Sequence, residues 1–389
     1  MRIGIAALIL AYLLSQFYRA FLAVLAPILA VDLHADAQAL AQASGWWFLT
    51  FAAMQIPVGY ALDRVGPRLT TAVLLGVAAL GAGTFAMAAG PGAVTVAMAL
   101  IGIGCSSVLM ASYFIFARLY TPAVFGTLAG MVIGIGSIGN IAASLPLSWA
   151  VEAIGWRGTL WALAAITALT AVAIYALVRD PARVAGGAKG SLLDLLMMPA
   201  LWPILLMMAA CYAPPAGLRG LWAGPWRADV FGEGAAAIGQ ITLIMGLSMV
   251  AGNFAYGPME RLLGSRKWLI VGGNTAMVGC LLGLYASAAS PGWAPVALLA
   301  GVGFFGASFP MVMAHGRAFL PPHLVGRGVT LINLFGIGAV GLMQIATGWV
   351  HASVTTSPPQ TPYETLFLFY AALTTVGLIV YLMSQDRTD

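Results

Sequence analysis

Charge is what this sequence has least of. Only 7% of its 389 residues are Asp, Glu, Lys or Arg, against about 25% in an ordinary soluble domain. A chain this poor in charge has too little to cover a water-facing surface. Its 17 Lys and Arg are scattered over short loops, so the continuous basic patch of a nucleic-acid binder is missing. Cysteine is scarce as well: Cys105, Cys211 and Cys280 all fall inside apolar runs, which argues against a disulfide framework. No Asp or Glu stands in the middle of any apolar run, and no histidine does either, since His34, His315, His323 and His351 all lie towards run ends. These gaps leave no carboxylate pair, no nucleophile, base and acid set, and no histidine cluster of catalytic spacing. The sequence therefore predicts neither an enzyme nor a cofactor.

What the chain does have is apolar length. Hydrophobic residues make up 61% of it, and the mean hydropathy is +0.96. Runs near 4–31, 44–62, 69–90, 93–117, 127–150, 158–178, 197–225, 235–258, 268–290, 293–315, 325–350 and 364–384 can each cross a bilayer core, which takes about 20 helical residues. The expected class is thus an all-α integral membrane protein with twelve spans. The first run follows only Arg2 and is too long for a signal-peptide core, so it reads as a retained span. Alternating the ends of the spans puts Arg2, Arg64, Arg68, Arg118, Arg179, Arg183, Lys189, Arg261, Arg266, Lys267, Arg317, Arg327 and Arg387 on one side. Only Arg157 and Arg227 fall on the other. The positive-inside rule then places both termini in the cytoplasm.

The twelve spans read as six used twice. Gly102, Gly104, Arg118 and Pro122 recur as Gly301, Gly303, Arg317 and Pro321, each at an offset of 199. Gly134, Gly136 and Gly139 recur as Gly336, Gly338 and Gly341. The expected organisation is a six-helix half over 1–178, a basic cytoplasmic linker over 179–196 and a second six-helix half over 197–389. The glycine sets GIGSIG and GIGAVG spell a dinucleotide fingerprint, but they lie inside apolar spans with no strand before them. Small residues that let helix backbones approach explain them better.

Between the second and third runs stands GYALDRVGPR, residues 59–68, and between the eighth and ninth its counterpart GPMERLLGSRK, residues 257–267. Gly59, Asp63, Arg64, Gly66 and Arg68 resemble the signature loop of the major facilitator superfamily, Gly-x3-Asp-Arg-x-Gly-Arg-Lys/Arg, with Pro67 replacing one basic residue. Glu260 and Arg261 repeat Asp63 and Arg64 in the second half. The resemblance implies a major facilitator fold in the inner membrane and a gating role for this loop. The family's antiporter mark, a Gly-Pro pair late in the fifth span, is missing, and Met98 replaces the arginine usual in the fourth. Both departures point to import.

Two arginines lie inside spans, Arg19 in the first helix of the first half and Arg219 in the first helix of the second. Intramembrane charge marks a transport path unless it merely caps carbonyls or meets water. Pro214, Pro215 and Gly217 are expected to interrupt the helix just before Arg219. In the eighth span Met245 and Met249 share one stripe, continued a turn later by Asn253. Paired thioethers suit Cu(I), although 18 methionines give about one such pair by chance.

YLLSQFYRAFLAVLAPILAVDL and ASGWWFLTFAAMQIPVGYALDRVGPR resemble the CcoA-like bacterial copper importers, relatives of riboflavin importers. That resemblance implies a copper set of Met-x3-Met followed by His-x3-Met. Met245 and Met249 match the first motif; Met277 is present in the second, but Gly273 stands where histidine is expected. The substrate set implied is Met245, Met249 and Met277 as metal ligands, with Arg19, Arg219 and Asn253 beside the path. Riboflavin or another small organic solute is the alternative, served by Tyr18, Trp46, Trp47, Tyr113, Tyr212, Gln16, Gln55, Asn140 and Asn333. In either case the expected partners are the substrate and the lipid bilayer, with the chain a monomer.

Overall fold

In the computed structural model, residues 2–120, 122–181, 192–321, 324–354 and 357–387 are described. His323, Arg183, Lys189 and the middle of the expected linker lie outside them. Over the described residues the chain is helical, with no strand. Buried backbone groups in hydrocarbon must be satisfied within their own segment, which is why an apolar chain of this kind resolves into helices.

The apolar runs become helices, but several are stepped. The first span is two pieces, Arg2–Phe17 and Leu22–Asp32, inclined at 53°. The second is Ala37–Ala53 and Gln55–Arg64, meeting at Met54. Pro67–Ala86 is the third, and the fourth is Pro91–Cys105 followed by Val108–Leu119. The fifth begins as Pro122–Ala142 and continues into Leu145–Leu177, where Gly155, at φ +73, turns the chain into the sixth. Trp202–Gly217, Leu218–Trp222 and Ala223–Phe231 form the seventh. Ala235–Leu263 and Arg266–Ala286 are the eighth and ninth. The tenth is Trp293–Phe305 and Phe309–Arg317, the eleventh Val325–Ala352 and the twelfth Thr361–Tyr381.

Among the described residues, nine helices are long and apolar enough to cross a membrane alone, and the bent first pair makes ten. The second run is not among them because the step at Met54 cuts it into pieces shorter than a bilayer.

Proline and polar caps set many of the boundaries. Pro67 and Pro91 open helices where a missing N–H costs nothing. Asp36 and Ser265 cap by accepting from Ala39 N at 2.7 Å and Trp268 N at 3.1 Å.

Packing divides the chain into two compact units, Met1–Ala185 with Gly234–Gln240, and Gly186–Glu233 with Ile241–Asp389. In the first, the third span packs along the fourth and sixth, and the second along the fourth. A Cβ on Gly102 would lie 2.3 Å from Trp47 O, and one on Gly139 2.0 Å from Leu13 O. Those glycines permit backbone contact between helices, as small residues do in membranes. In the second unit the seventh span packs on the eleventh and twelfth, and the ninth on the tenth and twelfth.

The ends of each unit sort cleanly. In the first, Trp156 Nε1 donates to Asp32 Oδ2 at 2.8 Å, and Arg157 Nη1 donates to the carbonyls of Ala86 and Ala88 at 2.9 and 3.0 Å. The close of the first and third spans and the start of the sixth therefore share one end. Arg68 N donates to Asp180 Oδ1 at 2.8 Å at the other. In the second unit Tyr363 donates to Asp229, and Trp226 Nε1 donates to Ala288 O at 3.0 Å, tying the close of the seventh and ninth spans to the start of the twelfth. The three cysteines are free, with Cys105 and Cys211 buried.

Candidate functional site

Both intramembrane arginines stand where their helix leaves α geometry. Arg19 lies in the four residues, Tyr18–Phe21, that separate the two pieces of the first span. No proline breaks the helix there. Instead Tyr18, fully buried, bonds Thr167 Oγ1 at 2.9 Å, and Phe21 packs on Phe85 with ring centroids 5.6 Å apart. The Arg19 guanidinium lies over Phe51 at 4.8 Å and Trp47 at 5.4 Å, a cation–π arrangement that offsets part of the cost of burying charge.

In the seventh span the expected interruption takes another form. The α-helix runs through Pro214 and Pro215 as far as Gly217, and Leu218–Trp222 then forms a π turn carrying Arg219. The two prolines have no N–H to donate, and Leu218 N–H is shared between the carbonyls of both. Trp222 Nε1 secures the turn by donating to Gln344 Oε1 at 3.1 Å and Thr347 Oγ1 at 2.9 Å. Such turns gather at functional sites. Arg219 is only 4% exposed, and its Nε and Nη2 lie 2.9 Å from where a Cβ on Gly246 would be. Gly246 is thus the space that the guanidinium occupies.

The three methionines flank two glycines of the tenth span. Met245 Cγ and Met249 Cγ each lie 3.2 Å from the Cβ position of Gly303, and Met277 Sδ lies 3.0 Å from that of Gly306. Met245 and Met277 are fully buried, Met249 is half-buried, and Asn253 is exposed. At Gly273 a Cβ would meet Tyr256 Oη at 2.0 Å, and that hydroxyl donates to Phe305 O at 2.6 Å. No side chain fits there beside Tyr256. Next to it Asn274, fully buried, donates to Ile270 O at 2.8 Å and Ser308 Oγ at 3.1 Å.

The hairpin residues pair differently in the two units. Asp63 pairs with Arg118 at 3.6 Å, and Arg64 stacks on Tyr60. Gly66, at φ +106, turns the chain where a Cβ would strike the Asp180 carboxylate at 2.8 Å. Arg68 stacks on Tyr175 at 4.8 Å. In the second unit Glu260 pairs with Arg266 of its own hairpin at 2.6 Å, and Arg261 is exposed. Gly59 has open space around it.

Sequence reasoning overlooked a repeated device. Asp180 caps the start of the third span through Arg68 N, and Asp386 caps that of the ninth through Lys267 N at 3.1 Å. The internal repeat was the signal that could have found this pair. Tyr256, Asn274 and Gln344 carried no comparable mark, because their partners are remote in sequence.

Helices of this length and apolarity define a multi-pass membrane protein. The family model of the Major Facilitator Superfamily matches residues 8–342, and the chain belongs to that family as a secondary transporter of solutes. A search of curated proteins returned no significant match. Among solved structures, the D-xylose-proton symporter is similar over 98% of this chain and 97% of its own, with a TM-score of 0.79 at 14% identity. The nucleoside transporter NupG is similar over 98% of each chain, with a TM-score of 0.75 at 17% identity. A bacterial homologue of the human lysosomal transporter Spinster, in an inward-facing and occupied conformation, covers 97% of this chain and 95% of its own, with a TM-score of 0.71 at 16% identity. At these identities the likeness is one of fold.

Proposed function

We propose that this chain imports a small organic solute across the inner membrane by alternating access, with both termini in the cytoplasm and the chain acting as a monomer. The observation that carries the choice of substrate is the Tyr256 hydroxyl on Gly273. A copper path of the resembling importers needs an imidazole at that position, and here a tyrosine tied to Phe305 O takes the space. Arg19, set in the break of the first span, offers donors to a solute that a cationic metal would not use. The hairpin residues Gly59, Asp63, Arg64, Gly66, Arg68, Glu260 and Arg261 act as the gate, through the pairs Asp63 with Arg118 and Glu260 with Arg266.

Copper is kept as a second reading on one observation: Met245, Met249 and Met277 all border Gly303 and Gly306, so three thioethers serve one short stretch of the tenth span. Cells lacking their own importers separate the two. Uptake of labelled riboflavin or another neutral solute by the parent supports the organic reading. Copper accumulation that collapses in a Met245→Leu, Met249→Leu double variant of equal abundance reinstates the metal, since leucine keeps the volume and removes the sulfur.

A further inference from the structure

The first unit contains a guanidinium with no counter-ion. Arg19 makes no ion pair and its side chain no hydrogen bond among the described residues, and its Nε is buried without an acceptor. Its flat face is covered by Phe51 and Trp47, whose own rings stack at 5.2 Å, so only the N–H edge is left to bond.

Other polar atoms near the helix breaks are buried and unmet. They include Ser15 Oγ and Gln16 Oε1, about one turn before Arg19, Ser107 Oγ, and Trp47 Nε1 on the ring that the guanidinium covers. Trp47 and Ser107 are fully buried. Ser107 stands in the gap between the two pieces of the fourth span, two residues after Cys105, which lies within electrostatic range of Arg19. Native interiors rarely leave buried donors unmet, and an unmet Trp47 N–H on the very ring that an unpaired cation covers describes a place prepared for a ligand.

Resting on the solute reading above, we propose that this is the subsite for the carboxylate of a small organic anion. The guanidinium edge takes the carboxylate. Trp47 N–H and Ser107 O–H are the neutral donors, and Gln16 Oε1 accepts from a hydroxyl or N–H elsewhere on the ligand. The arginines of this unit whose side chains are described, Arg64, Arg68, Arg118, Arg157 and Arg179, belong to its two ends. Within this unit Arg19 is the cation a ligand would meet, and one guanidinium balances one carboxylate.

The test uses the purified full chain in detergent micelles and a panel of monocarboxylates from acetate to benzoate and indole-3-acetate, each beside its uncharged amide, with phenyl phosphate added. Two readouts are taken: the thermal midpoint, and modification of Arg19 by phenylglyoxal followed by mass spectrometry. Carboxylates are expected to raise the midpoint and protect Arg19, and their amides to do neither. Arg19→Gln should weaken binding by about ten- to a hundredfold, the loss of one charge-assisted pair. Trp47→Phe keeps the ring, loses the N–H and should weaken binding severalfold, which serves if the arginine variant fails to fold.

Protection by no carboxylate, equal protection by the amides, or protection by phenyl phosphate alone overturns the proposal. Counterflow of a neutral solute by the parent and Arg19→Gln alike removes the subsite and leaves the transport reading standing. Carboxylate binding with no counterflow of any solute in sealed vesicles removes the transport reading instead.

Discussion

Gly273→Ala tests whether Tyr256 has taken the place of a metal-binding histidine. The new methyl would stand 2.0 Å from Tyr256 Oη and 3.1 Å from Cζ. The hydroxyl has little freedom to withdraw, because it donates to Phe305 O at 2.6 Å and Tyr256 is 5% exposed. Overpacking costs about 1–3 kcal/mol, and leaving the Phe305 carbonyl unmet adds about 1–3 kcal/mol. At about 2.1 cal/mol/K per residue, 389 residues give about 0.8 kcal/mol/K, so each kcal/mol moves the midpoint by about 1 °C. The single variant should lose about 2–6 °C, and Tyr256→Phe, which loses only the hydrogen bond, about 1–3 °C. In the double variant the clashing atom is gone and the hydrogen bond is lost only once, so the losses should fall short of additivity by about 2–6 kcal/mol. All four proteins would be melted in one detergent and followed by tryptophan fluorescence. A neutral Gly273→Ala, or strictly additive losses, would falsify the claim that the hydroxyl fills this site, and the copper reading would recover.

Other expectations follow from the same geometry. Gly246→Val should push the Arg219 guanidinium out of its space, lowering uptake at least tenfold at equal membrane abundance; unchanged uptake in vesicles removes Arg219 from the path. Asp63→Asn breaks a pair whose carboxylate is 67% exposed, so stability should change by no more than about 1 kcal/mol while uptake falls, and a variant with parental uptake refutes the gating role. Partial burial pushes the Asp386 carboxyl up, but hydrogen bonds from Ser265 Oγ–H and Lys267 N–H, with His315 and Lys267 nearby, outweigh it and hold the group below the usual carboxylate range. A depressed acid contributes its stabilisation above the ordinary carboxylate pKa and loses it as pH falls through the lowered value. Amide protection at Ser384–Arg387, taken relative to the intrinsic exchange rate at each pH, should therefore fall in strong acid and stay level between pH 6 and 8, and Asp386→Asn should abolish that step. Trp222→Phe removes the donor to Gln344 and Thr347 and should cost about 1–3 kcal/mol in thermal unfolding, while a silent variant would show that the π turn does not depend on this anchor.

Much of the architecture was legible from the chain alone. Apolar length announced helices in a membrane, the offset of 199 between Gly102 and Gly301 announced an internal repeat, and Gly59 to Arg68 announced the family. These signals are local or periodic: they depend on how many residues a bilayer spans and on which residues a tight charged turn admits.

The site was only half legible. Arg19 and Arg219 stood out because a charge amid apolar residues needs a reason, but their settings did not. The prolines at 214 and 215 implied a break, and the chain answers with a π turn; Tyr18–Phe21 implied none, and the helix bends there by 53°. Tyr18 is held by Thr167, which is 149 positions away, and Trp222 by Gln344, which is 122 away. Gly273 looked like a missing ligand until Tyr256 was found filling its space. A composition or a spacing records what each residue prefers by itself, and so determines the membrane, the helices and the repeat. Which helix bends, which donor is left unmet and which space is already full depend on contacts between residues far apart in the chain, and only the tertiary structure decided those.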